Sequence, residues 1–357
     1  MARLALILCC SCAVLRAPWA PAALPASAEH LEAVTADGFH ISVIHYAGAG
    51  RPVLLLHGVV TNERNLDLDE QHSLARWLCA HGRDVYAMSL RGTGESQRPA
   101  LSQYGWDFDT YVEQDLPAAV KLVKERSGAE SVDFIGHSMG GMILYAALAR
   151  GQTGIARAVT LGSPVGFRWG PRFTSWALTT VQAGSHLPVI ALTAGTLLAL
   201  PAMSWYPTPT ALIFYNPQNM DPKVWESFLA VGVDDESPAL AAQGARWLRE
   251  DRFTSRDGKL DYEALMGGIR TPVLVVAGKA DQLGFPPLVR RGFDALGSPQ
   301  KQWLLIAEEN GATFDYGHMD LLLGQRAPHE VFEPILRWLN VGVSGTPYES
   351  PAGVLSP

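Results

Sequence analysis

Val132-Asp133-Phe134-Ile135 runs directly into Gly136-His137-Ser138-Met139-Gly140-Gly141, and the chain then reads as a helix from Met142 to Arg150. A β-type apolar run, a turn of small residues around one serine and an immediate helix leave the backbone few options. The strand must reverse into the helix within a residue or two. Glycines then sit where strand and helix touch, and Ser138 is lifted above the strand end. A G-x-S-x-G match alone carries little weight in a chain of this length, because glycine and serine are common. The flanking strand and helix make it specific, and they predict a sharp elbow with the helix N-terminus aimed at Ser138.

The rest of the chain alternates in the same way. Strands are expected at Phe39–Ile44, Pro52–Leu56, Val85–Met88, Val132–Ile135, Ala158–Leu161, Val273–Ala277 and Trp303–Ile306. Helices are expected at His72–Ala80, Tyr111–Arg126, Met139–Arg150 and Glu330–Leu339. Leu54-Leu55-Leu56 and Val273-Leu274-Val275-Val276 are continuous apolar runs, as parallel strands buried on both faces require. The expected class is therefore α/β, a doubly wound and mostly parallel sheet. Between the strand ending near Gly162 and the one beginning near Val273 lies far more chain than a crossover needs, which predicts an apolar, mainly helical cap inserted there.

The inserted stretch carries an unusual composition. Charged residues make up 18% of the 357 residues, and none at all falls between Phe173 and Met220. Trp176, Leu198, Trp205 and Phe214 lie in this uncharged stretch and are the candidate substrate-contacting residues of the cap. The stretch fits two roles, a helical core covering the site or a lid that meets a lipid surface. Pro188 and Pro201 bracket too few residues for a transmembrane span. The net charge of −7, with no long basic run, argues against nucleic acid as a partner. No obligate protein partner is evident.

The N-terminal residues read as an export signal. Arg3 precedes an apolar run from Leu4 to Leu15, and Ala26-Ser27-Ala28 is a small-x-small cleavage pattern before Glu29. An uncleaved anchor is the alternative, but that run is too short to span a bilayer. Lipidation at Cys12 would lack the aliphatic residue expected three positions earlier. The expectation is an exported protein, periplasmic or secreted, with membrane association left open. Only Cys79 of the four cysteines would then remain, excluding an internal disulfide. The expected organisation is a signal at 1–28, core at 29–164, cap at 165–268, core at 269–340 and a loose tail at 341–357.

A serine hydroxyl needs a base to become a nucleophile, and the base needs an orienting acid. On a sheet of this kind both follow the serine, in the order acid then histidine. Asp281 comes just after the strand Val273–Ala277, at its carboxyl edge, and is the acid candidate. His318, in Tyr316-Gly317-His318-Met319-Asp320, is the base candidate. His137 should point away from Ser138, Asp133 should satisfy a structural hydrogen bond, and Asp320 should cap the next helix. The backbone N–H groups of Val59 and Met139 are the candidate oxyanion hole, with His57 bracing that loop. The histidines show no short zinc-ligand spacing with cysteine or glutamate, so no metal is expected, and no cofactor is required.

These residues resemble the α/β-hydrolase superfamily over nearly all of the chain after residue 28. Within it the sequence is similar to the acid lipases, the lysosomal and gastric lipase-like group. The likeness rests on His57-Gly58, Asn65-Leu66, Ser73-Leu74-Ala75, Asp84-Val85-Tyr86 and Arg91-Gly92. It continues through Tyr111, Asp115-Leu116-Pro117-Ala118, the Gly136–Gly140 elbow, Tyr316 to Asp320 and Glu330-Val331. The resemblance implies a core plus a cap, Ser138, Asp281 and His318 as the triad, and lipid esters as substrates. Two positions depart from the group: Met139 stands where glutamine is usual, and Gly317 where asparagine is usual. The resulting expectation is a secreted serine hydrolase of lipid-like or long-acyl esters. Thioesterase, acyltransferase, peptidase and polyester depolymerase chemistry use the same site, and a non-catalytic carrier of apolar ligands is the alternative of another class. A dehalogenase or epoxide hydrolase would want a carboxylate at position 138, and a polyester synthase relative a cysteine.

Overall fold

The computed structural model describes residues 23–169, 171–187, 190, 192–193, 196 and 211–340, apart from the side chains of 101, 171–174, 176 and 211. Eight strands form one sheet. They are β1 (Ala28–Val34), β2 (His40–Tyr46), β3 (Pro52–Leu56), β4 (Asp84–Met88), β5 (Val132–His137), β6 (Ile155–Leu161), β7 (Val273–Gly278) and β8 (Lys301–Ile306). Their spatial order is β1-β2-β4-β3-β5-β6-β7-β8; β2 runs antiparallel to both its neighbours, β1 and β4, and the remaining pairs are parallel. The doubly wound, mostly parallel sheet expected from the sequence is present.

Continuous apolar runs work here because every second residue serves a different layer. Leu54 and Leu56 of β3 pack on one face with Phe134, Ile143 and Val289, while Val53 and Leu55 pack on the other with Leu74, Leu78 and Ile335. All five β3 residues are buried. The strand that sequence reasoning missed is β1. It is an edge strand on which only Ala33 is buried, so it carries almost none of the apolar signal of the inner strands. It begins at Ala28, which pairs with Tyr46, one residue before the expected start of the core.

Among the described residues the helices of seven residues or more are α1 (Leu74–Ala80), α2 (Leu116–Ser127), α3 (Met139–Ala149), α4 (Pro171–Gly184), α5 (Pro222–Val231), α6 (Pro238–Glu250), α7 (Pro286–Ala295) and α8 (Glu333–Asn340). The helix expected from Tyr111 to Arg126 is interrupted: Tyr111–Asp115 makes a wider turn in which the Leu116 N–H reaches back to the Tyr111 carbonyl. Pro117, which has no N–H to give, follows at once.

Helices α4, α5 and α6 all fall between β6 and β7. Asp221 and Ser237 accept from backbone N–H groups at the starts of α5 and α6, and a proline occupies the first position of each. The three helices do not form one layer. α4 and α6 pack on each other, whereas Trp225 and Phe228 of α5 join the layer containing Leu74 and Ile335. Among the described residues no helix is long and apolar enough to cross a membrane.

Candidate active site

β5 ends at His137 and α3 begins at Met139, leaving Ser138 as the entire connection. Its φ of 54° puts a non-glycine residue in the left-handed region. The turn survives because it is held from both sides. Its N–H donates to the Leu161 carbonyl of β6 at 2.8 Å. The flanking glycines also leave no gap: a Cβ on Gly140 would lie 2.5 Å from the Leu56 carbonyl oxygen, and one on Gly136 would lie 2.5 Å from the backbone of Gly140. Only glycine lets α3 sit this close to β3 and β5. Met139 is the first helical residue, so its N–H has no acceptor within the helix and points out of the N-terminus beside Ser138.

The loop after β3 closes the other side. A Cβ on Gly58 would lie 3.0 Å from the Ser138 Cβ, so this loop passes against the serine itself. Val59 follows and is exposed on the cavity side. His57 is buried beneath the loop. Its Nδ1 bonds the Gly58 carbonyl at 2.8 Å and its Nε2 accepts from the Leu90 N–H at 3.0 Å, and burial lowers its pKa to about 4. It is a brace for the loop, as expected.

Asp281 and His318 are brought together over a separation of 37 residues. Nδ1 of His318 lies 2.8 Å from Oδ2 of Asp281, and both side chains are buried. The second carboxylate oxygen of Asp281 accepts from the N–H groups of Leu283 and Gly284 at 2.8 and 2.7 Å. With these donors in place, the carboxylate is a fixed acceptor that holds the His318 proton on Nδ1 and leaves Nε2 as the basic nitrogen.

The histidine loop has its own supports. His137 does point away from Ser138: its Nε2 lies 3.2 Å from the His318 carbonyl and its Nδ1 2.9 Å from the Asn65 side-chain amide. Burial first, and the nearby His318 second, push its pKa well down, so it donates as a neutral ring. Asp320 is not the helix cap expected from the sequence. It accepts from the N–H groups of Gly317 and Asn216 at 3.0 and 3.1 Å, and from the Asn219 amide at 3.4 Å. Burial raises its pKa to about 7. The Tyr215-Asn216 backbone lies so close that a Cβ on Gly317 would meet it at 2.8 Å. No asparagine fits there, which accounts for glycine at this position.

Ser138, Val59 and Met139 line one cavity of about 400 Å³. Its walls are apolar and come from two facing helix surfaces. On α4 they are Ala177, Thr180, Val181 and Gly184, and on α6 they are Leu240, Ala241, Gly244, Trp247 and Leu248. Phe167 and Trp169 complete one side. The cap residues chosen from sequence fare differently. Leu198 and Trp205 lie outside the described residues, as does the side chain of Trp176. Phe214 does not line the cavity but stacks on Trp225, with ring centres 5.5 Å apart, and its carbonyl accepts from the Met319 N–H at 2.8 Å. It supports the histidine loop because the α5 side of the insertion packs on the far layer. The α6 wall was missed, although its spacing of one, three, three and one residues is a single helical face readable from sequence.

This fold and site define an α/β hydrolase. Residues 51–325 match the family model described as alpha/beta hydrolase fold, and the chain belongs to that family. It is 22% identical over 313 residues to a poly(3-hydroxyalkanoate) polymerase subunit PhaC of Haloarcula marismortui, covering 83% of this chain and 62% of that one. The chain thus spans about three-fifths of that relative's length. Over 141 residues it is 27% identical to gastric triacylglycerol lipase of Rattus norvegicus, covering 35% of this chain and 36% of that one. Among solved structures, an esterase of Thermogutta terrifontis superimposes with a TM-score of 0.61 at 19% identity, covering 87% of this chain and 98% of that one.

Proposed function

We propose that the protein is a serine hydrolase of carboxylic esters with a long apolar acyl chain. The observation that carries this reading is Ser138, strained at the elbow, opening onto an apolar cavity of about 400 Å³. The Asp281–His318 pair supports it. Ser138 Oγ attacks the ester carbonyl and passes its proton to His318 Nε2. Asp281 stabilises the imidazolium that results. The N–H groups of Val59 and Met139 receive the negative charge that develops on the carbonyl oxygen. His318 then protonates the departing alcohol, and water repeats the sequence on the acyl-serine to release the acid. The apolar walls favour a lipid-like chain over a charged one, because a charged group there would lose its hydration without compensation.

A second reading, acyl transfer to an alcohol with chain growth, is favoured by the resemblance to a polymerase subunit over most of this chain. Ser138, where a polyester synthase is expected to carry cysteine, counts against it. Both readings are tested in one assay on p-nitrophenyl esters of increasing acyl length, each beside the ester of the matching 3-hydroxy acid, whose hydroxyl can accept an acyl group, with the products analysed. The expected result is free acid as sole acyl product. Ser138→Ala should lower kcat by about three orders of magnitude or more while leaving the thermal transition in place. Undiminished turnover by Ser138→Ala would remove the assignment, and oligomeric ester among the products would favour transfer.

A further inference from the structure

Glu236 is the one carboxylate among the described residues lining the cavity. It is buried, and no ion pair to it is present among the described residues. Its Oε1 accepts from the Tyr111 hydroxyl and from the Ser237 N–H, each at 2.8 Å. The Tyr111 hydroxyl accepts in turn from the Trp106 ring N–H at 2.7 Å, so the tyrosine is fixed before it reaches the carboxylate. Burial pushes the pKa of Glu236 up to about 7. Nothing in the triad chemistry uses this group.

Its neighbours on the other side are the loop next to Ser138. Val60 has a φ of 56°, which for a β-branched residue is a strained conformation that must be held from outside. The holding comes from the segment around Glu236. The Asp234 N–H donates to the Val60 carbonyl at 2.9 Å, Thr61 pairs with Val233, and Val60 and Glu236 stand in the same cavity wall, where the Val60 backbone favours the charged form of the carboxylate against the effect of burial. On its opposite edge the Glu236 backbone exchanges two hydrogen bonds with Ile190, at 3.0 and 3.1 Å, and Ile190 is itself a cavity wall. One residue thus links the wall of the cavity to the loop bearing Val59.

We propose that Glu236 is a positioning residue for the oxyanion loop: its carboxylate holds Val60 in the left-handed conformation that directs the Val59 N–H at the reacting carbonyl. The inference rests on the hydrolase reading above. An oxyanion donor acts as charge develops, so its misplacement lowers kcat and leaves substrate binding nearly untouched.

The test uses Glu236→Met, which keeps the volume but offers no acceptor, beside Glu236→Gln, which keeps one. Kinetics on a p-nitrophenyl ester are read with thermal unfolding. Glu236→Met should lower kcat about 100-fold with KM within about threefold of the wild type, and Glu236→Gln should restore most of the loss. Adding Val60→Gly to Glu236→Met should recover about tenfold in kcat, because glycine holds a φ of 56° without a clamp. If the methionine variant does not fold, Glu236→Ser, which leaves room for water at the carboxyl position, is read against the same thresholds. A kcat within threefold of wild type, a change confined to KM, or no recovery from either glutamine or Val60→Gly overturns the proposal. Ser138→Ala separates the two levels. Turnover that survives it removes the hydrolase reading, whereas serine-dependent turnover indifferent to position 236 removes only the role of Glu236.

Discussion

At His57 the two ring nitrogens have opposite duties: Nδ1–H donates to the Gly58 carbonyl, and Nε2 accepts from the Leu90 N–H. Only the neutral ring does both, and burial lowers its pKa from 6.5 to about 4. In the unfolded chain the ring takes up a proton as pH falls through 6.5, while in the folded chain it resists until about 4. The stability it contributes is therefore complete above 6.5 and is lost on acidification across that window. His137 works in the same direction, whereas Asp115, Glu236 and Asp320, whose pKa values are raised, work in the opposite one. The contribution of His57 is thus read from a difference. His57→Gln keeps a donor and an acceptor but does not titrate, so wild type should lose more of its thermal stability than the variant between pH 6.5 and 4. Parallel unfolding curves would rule this out. That His57 serves as a brace was legible in the sequence, because it follows a buried strand end. The clamp of Asp320 was not, because its donors Asn216 and Asn219 lie about a hundred residues away.

The elements divide by how local their causes are. The elbow was legible because a β-type run, a serine between glycines and a helical run are contiguous, and contact between strand and helix follows from the turn itself. Gly140→Ala tests that contact. The added Cβ would lie 2.5 Å from the Leu56 carbonyl oxygen and 2.7 Å from that of His57, and neither backbone atom can swing aside. A loss of about 1–3 kcal/mol or more is expected in denaturant unfolding, together with at least about a tenfold fall in kcat as Met139 shifts with its helix. Wild-type stability and rate would mean that α3 has room to move. β1 was missed because an edge strand with one buried residue carries no apolar run. The interruption at Tyr111–Asp115 escaped notice because helical periodicity hardly registers one wide turn.

At the scale of the whole molecule, the beginning of the uncharged stretch supplies one wall of the cavity through α4, and the other wall, α6, comes from outside that stretch. Among the described residues a Cβ on Gly244 would touch only Val181, at 3.7 Å, so a larger side chain there grows into the cavity without meeting their backbone. Gly244→Leu should therefore lower kcat/KM for long-acyl esters relative to short ones, by about tenfold. An unchanged ratio across the acyl series would place the chain elsewhere. The sequence by itself determined the strands β2 to β8 and the elbow, and it set the expected order of serine, acid and base, because each depends on residues close in the chain or on the direction of parallel strands. Only the tertiary structure decided that α5 would pack on the far layer, that α6 would face α4 and that Glu236 would meet Val60. Those pairings depend on how segments more than a hundred residues apart fill space together, which no local periodicity records.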